Sequence, residues 1–294
     1  IENPSGQGLR HMTSIKSARS HTILERTGQG LRAVVAVVVV LAFVSPLAWC
    51  AFASVSPQGD SSQQHGFGFG NYAALLTFQS GLFTYLGNSV FVSLLTVLLV
   101  LTVATLAGYA FARFSFPGKN VLFILILGIL MVPAASLLIP LFVLLHGVGL
   151  SNSLVGLGLV LAMYQLPFAV FMMRVAFESL PIELEEAAFM DGASSFRTLR
   201  SVLIPSVAPA MITVGLFVFL ASWNDFIAPL ILINDPAKST LPLAVAAIRQ
   251  QALGAIDYGA TEAGVVVLAI PCVVLFLVLQ RFYVRGFMSG ALKG

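Results

Sequence analysis

Six apolar runs decide what this chain can fold into. They cover roughly 33–52, 85–112, 121–145, 153–173, 206–234 and 263–280. A hydrocarbon layer about 30 Å thick takes about 20 apolar residues as helix. No other segment of the sequence has that length. Inside lipid the backbone must satisfy its own hydrogen bonds, so each run predicts a helix rather than an open strand. A membrane barrel would show short alternating strands, and these runs are continuous. Composition agrees, with 58% hydrophobic and only 9% charged residues among 294. A soluble domain carries about 25% charged residues. A soluble enzyme, a disordered chain and a nucleic-acid binder are therefore excluded. The fold class read from the sequence is an all-α membrane protein with six transmembrane helices.

The basic residues set the expected orientation. Arg10, Lys16, Arg19, Arg26 and Arg32 precede the first run, and Arg113 and Lys119 follow the second. Arg174, Arg197 and Arg200 follow the fourth, and Arg281, Arg285 and Lys293 follow the last. Only Lys238 and Arg249, of 15 Lys and Arg, fall on the other side. Loops rich in Lys and Arg stay in the cytoplasm, which places both termini there. The net charge of +3 is thus topology rather than a phosphate-binding face.

Three parts follow: an N-terminal tail over 1–32, a transmembrane domain over 33–284 and a C-terminal tail over 285–294. His11-Met12 reads as a cloning junction and residues 1–11 as its remnant, although Gly6-Gln7-Gly8-Leu9-Arg10 recurs as Gly28-Gln29-Gly30-Leu31-Arg32. The first run is too long for a signal-peptide core, so it reads as a retained anchor. Cys50 and Cys272 lie inside apolar runs and read as small fillers. Pro46, Pro133, Pro140, Pro167, Pro209 and Pro271 all fall within apolar runs, suggesting bent helices around something. The connection 53–84 reads as flexible, and 146–152 as a tight hairpin.

Several chemistries lack their residues. No phosphate-cradling G-x-x-x-x-G-K-[ST] occurs, so ATP hydrolysis is placed outside this chain. His11, His21, His65 and His146 are scattered, and no metal site is expected. There is no G-x-S-x-G elbow. Asp225 is the one carboxylate within an apolar run, where a proton relay would need several.

The connection 174–205 concentrates the charge. Pro181 suits a first helical position. Glu183, Glu185 and Glu186 follow, where a helix N-terminus favours negative charge. Gly192 after Asp191 offers a left-handed stop, and Ser194 or Ser195 can cap a second short helix before Pro205. Ala187 and Ala188 are small enough for another surface to approach closely, with Glu186 beside them to meet an arginine. A loop lying on lipid would favour Lys and Arg instead. The pattern points to a protein partner.

Glu186-Ala187-Ala188, three residues, Gly192, nine residues and Val202-Leu203-Ile204-Pro205 resemble the EAA loop of ABC importer permeases, E-A-A-x₃-G-x₉-I-x-L-P. Asn71-Tyr72, Asn88-Ser89, Ala107-Gly108-Tyr109-Ala110-Phe111-Ala112-Arg113, Phe116-Pro117-Gly118, Trp223-Asn224-Asp225-Phe226 and the stretch from Arg281 to Gly294 are similar to the carbohydrate-uptake branch, the maltose-type second permease. The resemblance covers about 70–294. It implies the type I ABC importer permease fold in the bacterial cytoplasmic membrane. It implies that Glu186, Ala187, Ala188, Asp191, Gly192 and Pro205 form a coupling element seated on a separate ATPase. It further implies a second homologous permease, an ATPase dimer carrying the ATP and magnesium, and an extracytoplasmic substrate-binding lipoprotein. No cofactor is expected in this chain, and no nucleic acid.

Contact with substrate is less determined by the residues. Asp225 lies about 20 residues after Pro205, so ~30 Å along a helix and near the outer boundary. Burying it deeper would cost ~2.5–3.5 kcal/mol. Trp223 suits either an interface anchor or a sugar-stacking ring. Asn224 and Asp225 could bond hydroxyls or end a helix, and Tyr164 and Gln165 could line a cavity or bond between helices. Rivals are a same-fold permease for polyamine, phosphate or glycerol phosphate, and an ion-coupled carrier. The carrier would show inverted repeats and midplane ionisable groups. An intramembrane enzyme would need a nucleophile–base pair or metal ligands.

Overall fold

The computed structural model describes residues 32–56, 67–251 and 258–291, and every regular element among them is helical. The chain divides into two compact units, Ile1–Phe52 and Ala53–Gly294. The first holds most of α1 (Arg32–Val55). Its side chains from Val34 to Trp49 stand largely exposed, as a lipid-facing helix requires.

The second unit continues with α2 (Gly70–Thr77), α3 (Leu82–Arg113), α4 (Lys119–Gly128) and α5 (Ala134–Gly147). Then come α6 (Leu154–Glu178), α7 (Glu183–Met190), α8 (Ser195–Thr198) and α9 (Ile204–Trp223). The last elements are α10 (Ile227–Leu232), α11 (Leu241–Gln251) and α12 (Tyr258–Ala291). Among the described residues five helices are long and apolar enough to cross a membrane, six if the bent pair α4 and α5 is one span.

In that pair the apolar run 121–145 is broken sharply, as its prolines lead us to expect. α4, extended by a 3-10 turn to Met131, meets α5 at a bend of 101°. The cause is Pro133. The residue before a proline avoids the helical region, and Val132 is extended at φ −84°, ψ 122°. The other described prolines do not break their helices: Pro140, Pro167, Pro209 and Pro271 stay inside α5, α6, α9 and α12. Membrane helices keep an internal proline where neighbouring groups re-satisfy the freed carbonyl. Pro46 likewise stays inside α1, so of the six prolines only Pro133 marks a sharp break.

Other boundaries move as well. The fifth helix stops at Trp223 rather than 234, and the rest of that apolar run forms α10. The connection 53–84 is partly helical, since it contains α2. The helix capped by Ser194 is not separate. It runs on into α9 as one 29-residue helix, Ser195–Trp223. Leu199–Leu203 forms a π turn there, and Ile204 N–H donates to Leu199 O. Pro205 explains the widened turn. A proline ring collides with the carbonyl four residues back, and a π turn opens the ladder at that point.

Named contacts fix the helix directions within the second unit. Thr96 Oγ1 of α3 donates to Gly158 O of α6 at 3.3 Å. Further along both helices, a Cβ on Gly108 would lie 2.7 Å from Met173 Cβ. So α3 and α6 run parallel. α9 is antiparallel to α3: Tyr85 shares a core cluster with Trp223, and Tyr109 shares another with Leu203. The bundle therefore has an Arg113 end and an Asn88 end. Small residues let α3 and α6 approach closely, the packing that membrane helices favour.

Candidate coupling loop and translocation path

The loop after α6 is built by local chemistry. α7 starts at Glu183, two residues later than Pro181 was expected to start it. Leu184 N–H and Glu185 N–H donate back to Pro181 and Ile182 carbonyls at 3.4 and 2.9 Å, a tight lead-in turn. Glu183, Glu185 and Glu186 do occupy the first turn. At the other end Gly192 is left-handed at φ +77°. Gly192 N–H donates to Phe189 O and Ala193 N–H to Ala188 O, each at 3.0 Å. That is a Schellman stop, and it needs a residue without a Cβ at Gly192. Ser194 Oγ then accepts from Arg197 N–H at 3.4 Å, opening the next helix.

The helical period divides α7 into two faces. Glu185 and Ala188, three apart, are buried. Glu186, Ala187 and Asp191 are exposed, with Leu184, Phe189 and Met190 exposed beside them. Ala188 therefore packs inward and offers nothing to an approaching surface, contrary to expectation. Glu185 is the residue the sequence left unassigned. Its carboxylate accepts from Arg113 Nε at 2.8 Å. Arg113 Nη2 also donates to Leu180 O at 2.9 Å. One planar guanidinium thus pins the end of α3 to both flanks of the loop.

The expected path residues separate into two groups. Trp223 is 1% exposed, stacks on Phe219 at 5.6 Å between centroids, and donates its N–H to Leu268 O at 3.0 Å. It is a core residue, neither a boundary anchor nor a sugar platform. The reason is helical phase: Phe219 and Trp223 lie four apart and face α12 together. Asn224 ends α9, its Nδ2 donating to Leu220 O at 2.8 Å, yet the residue stays exposed. Asp225 Oδ1 accepts from Ala228 N–H at 2.9 Å and so opens α10. Tyr164 donates to Ala134 O at 3.2 Å, just past the Pro133 break. Asp225 lies within electrostatic reach of that phenol. Gln165 is half-buried and has no side-chain hydrogen bond among the described residues. Tyr164 and Asp225 therefore lie near each other where α5, α6 and α10 meet, no contact places Gln165 with them, and Trp223 leaves the set. No group of metal-binding side chains occurs among the described residues.

Residues 101–286 match the family described as binding-protein-dependent transport system inner membrane component, a match that takes in the whole EAA loop. The chain belongs to that family. It is a multi-pass transport subunit of the inner membrane, not an enzyme, and its system depends on a binding protein. The trehalose transport system permease protein SugB of Mycobacterium tuberculosis is 37% identical over 77% of this chain and 82% of that protein. The diacetylchitobiose uptake system permease protein NgcG of Streptomyces coelicolor is 33% identical over 85% and 84%. A crystal structure of a bacterial ABC transporter for import of the acidic polysaccharide alginate superposes with a TM-score of 0.74 at 23% identity. It covers 88% of this chain and 97% of that one, and it bears on the fold.

In this permease the stretches that carried the resemblance prove to be staples. Asn71 Nδ2 donates to Ser54 O and Ser56 O at 2.8 and 3.1 Å, closing the end of α1. Tyr72 Oη bonds Ser54 Oγ at 2.9 Å. Asn88 Nδ2 donates to Ala237 O and Ser239 O at 2.9 and 3.0 Å, and Ser89 Oγ accepts from Leu241 N–H at 2.7 Å. Asn152, left-handed at φ 50°, accepts from Asn234 and Asp235 N–H at 3.0 and 3.2 Å. Sequence reasoning passed over Asn152. Its one signal was an Asn in a short hairpin loop, where Asn tolerates the left-handed region.

Proposed function

We propose that this chain forms half of the translocation path of an ATP-driven importer for a carbohydrate. A second homologous permease supplies the other half. An ATPase dimer holds the ATP and magnesium, and an extracytoplasmic binding lipoprotein delivers the substrate. The Arg113 end faces the cytoplasm and the Asn88 end faces outward, as the distribution of Lys and Arg supports. The substrate class is supported by relatives named for trehalose and diacetylchitobiose transport. Another relative, from Thermococcus litoralis, is named for trehalose and maltose and is 35% identical over 71% of this chain.

One observation carries the mechanism. α7 is braced on its inner face by Arg113 and presents Glu186, Ala187, Leu184, Phe189 and Met190 outward. That is a short rigid helix with an apolar contact surface and a carboxylate at its edge. Seated on an ATPase subunit, it converts closure of the ATPase dimer into displacement of the membrane helices, switching the path between its two openings. Asp191, Gly192 and Pro205 shape the loop around it. Tyr164, Gln165, Asn224 and Asp225 line the path, with Asp225 and Asn224 offering hydrogen bonds to sugar hydroxyls.

The test is Glu186→Lys, expressed in cells that lack the native permease. Membrane insertion should stay normal, while uptake and co-purification of the ATPase subunit should be lost. Normal uptake by that variant would refute the reading.

A further inference from the structure

We infer that Arg113 and Glu185 are positioning residues of the coupling step: their ion pair is the joint through which α7 drives α3. This rests on the reading of α7 as the helix that engages the ATPase.

The pair joins segments 72 residues apart in sequence, with the side chains only 12% and 7% exposed. Among the described residues it is the only side-chain hydrogen bond or ion pair that ties α7 to a membrane helix. The other acids of α7, Glu183 and Glu186, are exposed. Of the other cations at this end, Arg197 and Arg200 are exposed and form no ion pair among the described residues. Arg174 pairs with Glu178 at 2.7 Å and sits 4.1 Å over the Phe123 ring, and Lys119 donates to Phe114 O at 3.0 Å. A shielded ion pair with an extra carbonyl bond resists being pulled apart more than an exposed one, because each charge left alone would be stranded out of water.

What the joint holds on its far side is a rod. α3 has 32 residues without an internal proline, so about 48 Å of helix. The crossing made by α4 and α5 is bent by 101°, and α6 carries Pro167. α3 is the one long helix among the described residues with no internal proline. On the way it is locked to α6, because Gly108 sits against Met173 and Arg174 with no room for a methyl group. At its far end Asn88 and Ser89 hold the segment from Ala237 to Leu241. A push on α7 through Glu185 therefore has a continuous hydrogen-bonded and packed route to the connection between α10 and α11.

The experiment uses the whole importer in nanodiscs, with Cys50 and Cys272 of this chain replaced by Ala. Spin labels are placed at Leu98 on α3 and Glu183 on α7, both exposed. Leu98 lies 15 residues from Arg113, so the labels are separated by about 22 Å along α3. The distance is read without nucleotide and after trapping with ATP and vanadate. In the parent chain the two labels should move as one body, leaving the distance unchanged. In Glu185→Gln and Arg113→Leu the distance should shift or broaden on trapping, and Arg113→Lys should restore the parent behaviour. An unchanged distance in Glu185→Gln overturns the proposal, and so does a changed distance in the parent. Loss of the ATPase from the Glu185→Gln importer also overturns it, since the pair would then serve assembly alone. Glu186→Lys separates the two readings. If it keeps its ATPase and its uptake, the coupling role of α7 fails, whatever the labels show.

Discussion

Two glycines on α3 predict opposite results for one substitution. A Cβ at Gly108 would lie 2.7 Å from Met173 Cβ, 2.8 Å from Arg174 N and 2.9 Å from Met173 C. These are backbone or near-backbone atoms, which cannot swing aside. Reaching an ordinary contact of 3.4 Å requires α3 and α6 to part by roughly 0.7 Å at the tightest point of the bundle. Overpacking of this kind costs ~1–3 kcal/mol, and the immovable obstacle puts Gly108→Ala toward the upper end. Replacing a helical glycine by alanine returns about 1 kcal/mol. The net is a loss of ~1–2 kcal/mol. At Gly87, on the same helix, a Cβ would meet nothing within 4 Å. There only the propensity gain remains, so Gly87→Ala should be more stable than the parent by ~0.5–1 kcal/mol. The assay is thermal unfolding of the purified chain in one detergent at one scan rate, since membrane proteins unfold irreversibly and only matched scans compare. At ~2–4 °C per kcal/mol for a chain of this size, the two variants should melt about 3–12 °C apart, with Gly108→Ala lower. Equal melting temperatures would refute the claim that α3 and α6 are in backbone contact there.

Three further outcomes are expected. Asn88→Ala removes two hydrogen bonds to the segment 237–239, so hydrogen exchange at 236–241 should speed up while α6 exchange stays unchanged, as mass spectrometry of peptides will show. Trp223→Phe keeps the stacked ring but leaves Leu268 O without its indole donor, costing ~1–3 kcal/mol in the same thermal assay and leaving the substrate affinity of the importer unchanged. Asp225→Ala removes the acceptor for Ala228 N–H and the carboxylate facing Tyr164. It should alter transport rate or affinity in uptake assays without loss of the ATPase, and unaltered kinetics would leave Asp225 as a helix-opening residue only.

The apolar runs were readable because their requirement is one-dimensional: about 20 residues cross the layer wherever they lie. The break at Pro133 was not, because six prolines look alike in a sequence. What distinguishes Pro133 is the surroundings. Val132 has gone extended, and Tyr164, from a helix 30 residues away, donates to the carbonyl of Ala134. Pro209 instead stays inside an unbroken α9. The end of the fifth helix was misplaced for the same reason. The hydrophobic run continues unbroken in character through α10, and only the side-chain bonds of Asn224 and Asp225 mark the stop.

The coupling loop shows where local chemistry suffices and where it does not. Gly192 and Ser194 were legible because a left-handed stop and a helix cap are satisfied within four residues of themselves. The choice among Glu183, Glu185 and Glu186 was not, since all three suit a helix N-terminus equally well. The helical period does group Glu185 with Ala188, but which face turns inward depends on Arg113, far away in sequence. The path residues depend on more still. Adjacency suggested that Trp223, Asn224 and Asp225 act together, yet consecutive residues on a helix point about 100° apart, and the break after Trp223 turns the chain again. The ring went to α12 and the carboxylate to the Ala228 N–H that opens α10. The proposed path, shared with a second subunit, would draw partners from outside this chain. Gln165, half-buried and without a side-chain hydrogen bond among the described residues, is the polar group that such a reading leaves for them, whereas Trp223 and Asn88 are already bonded within the chain.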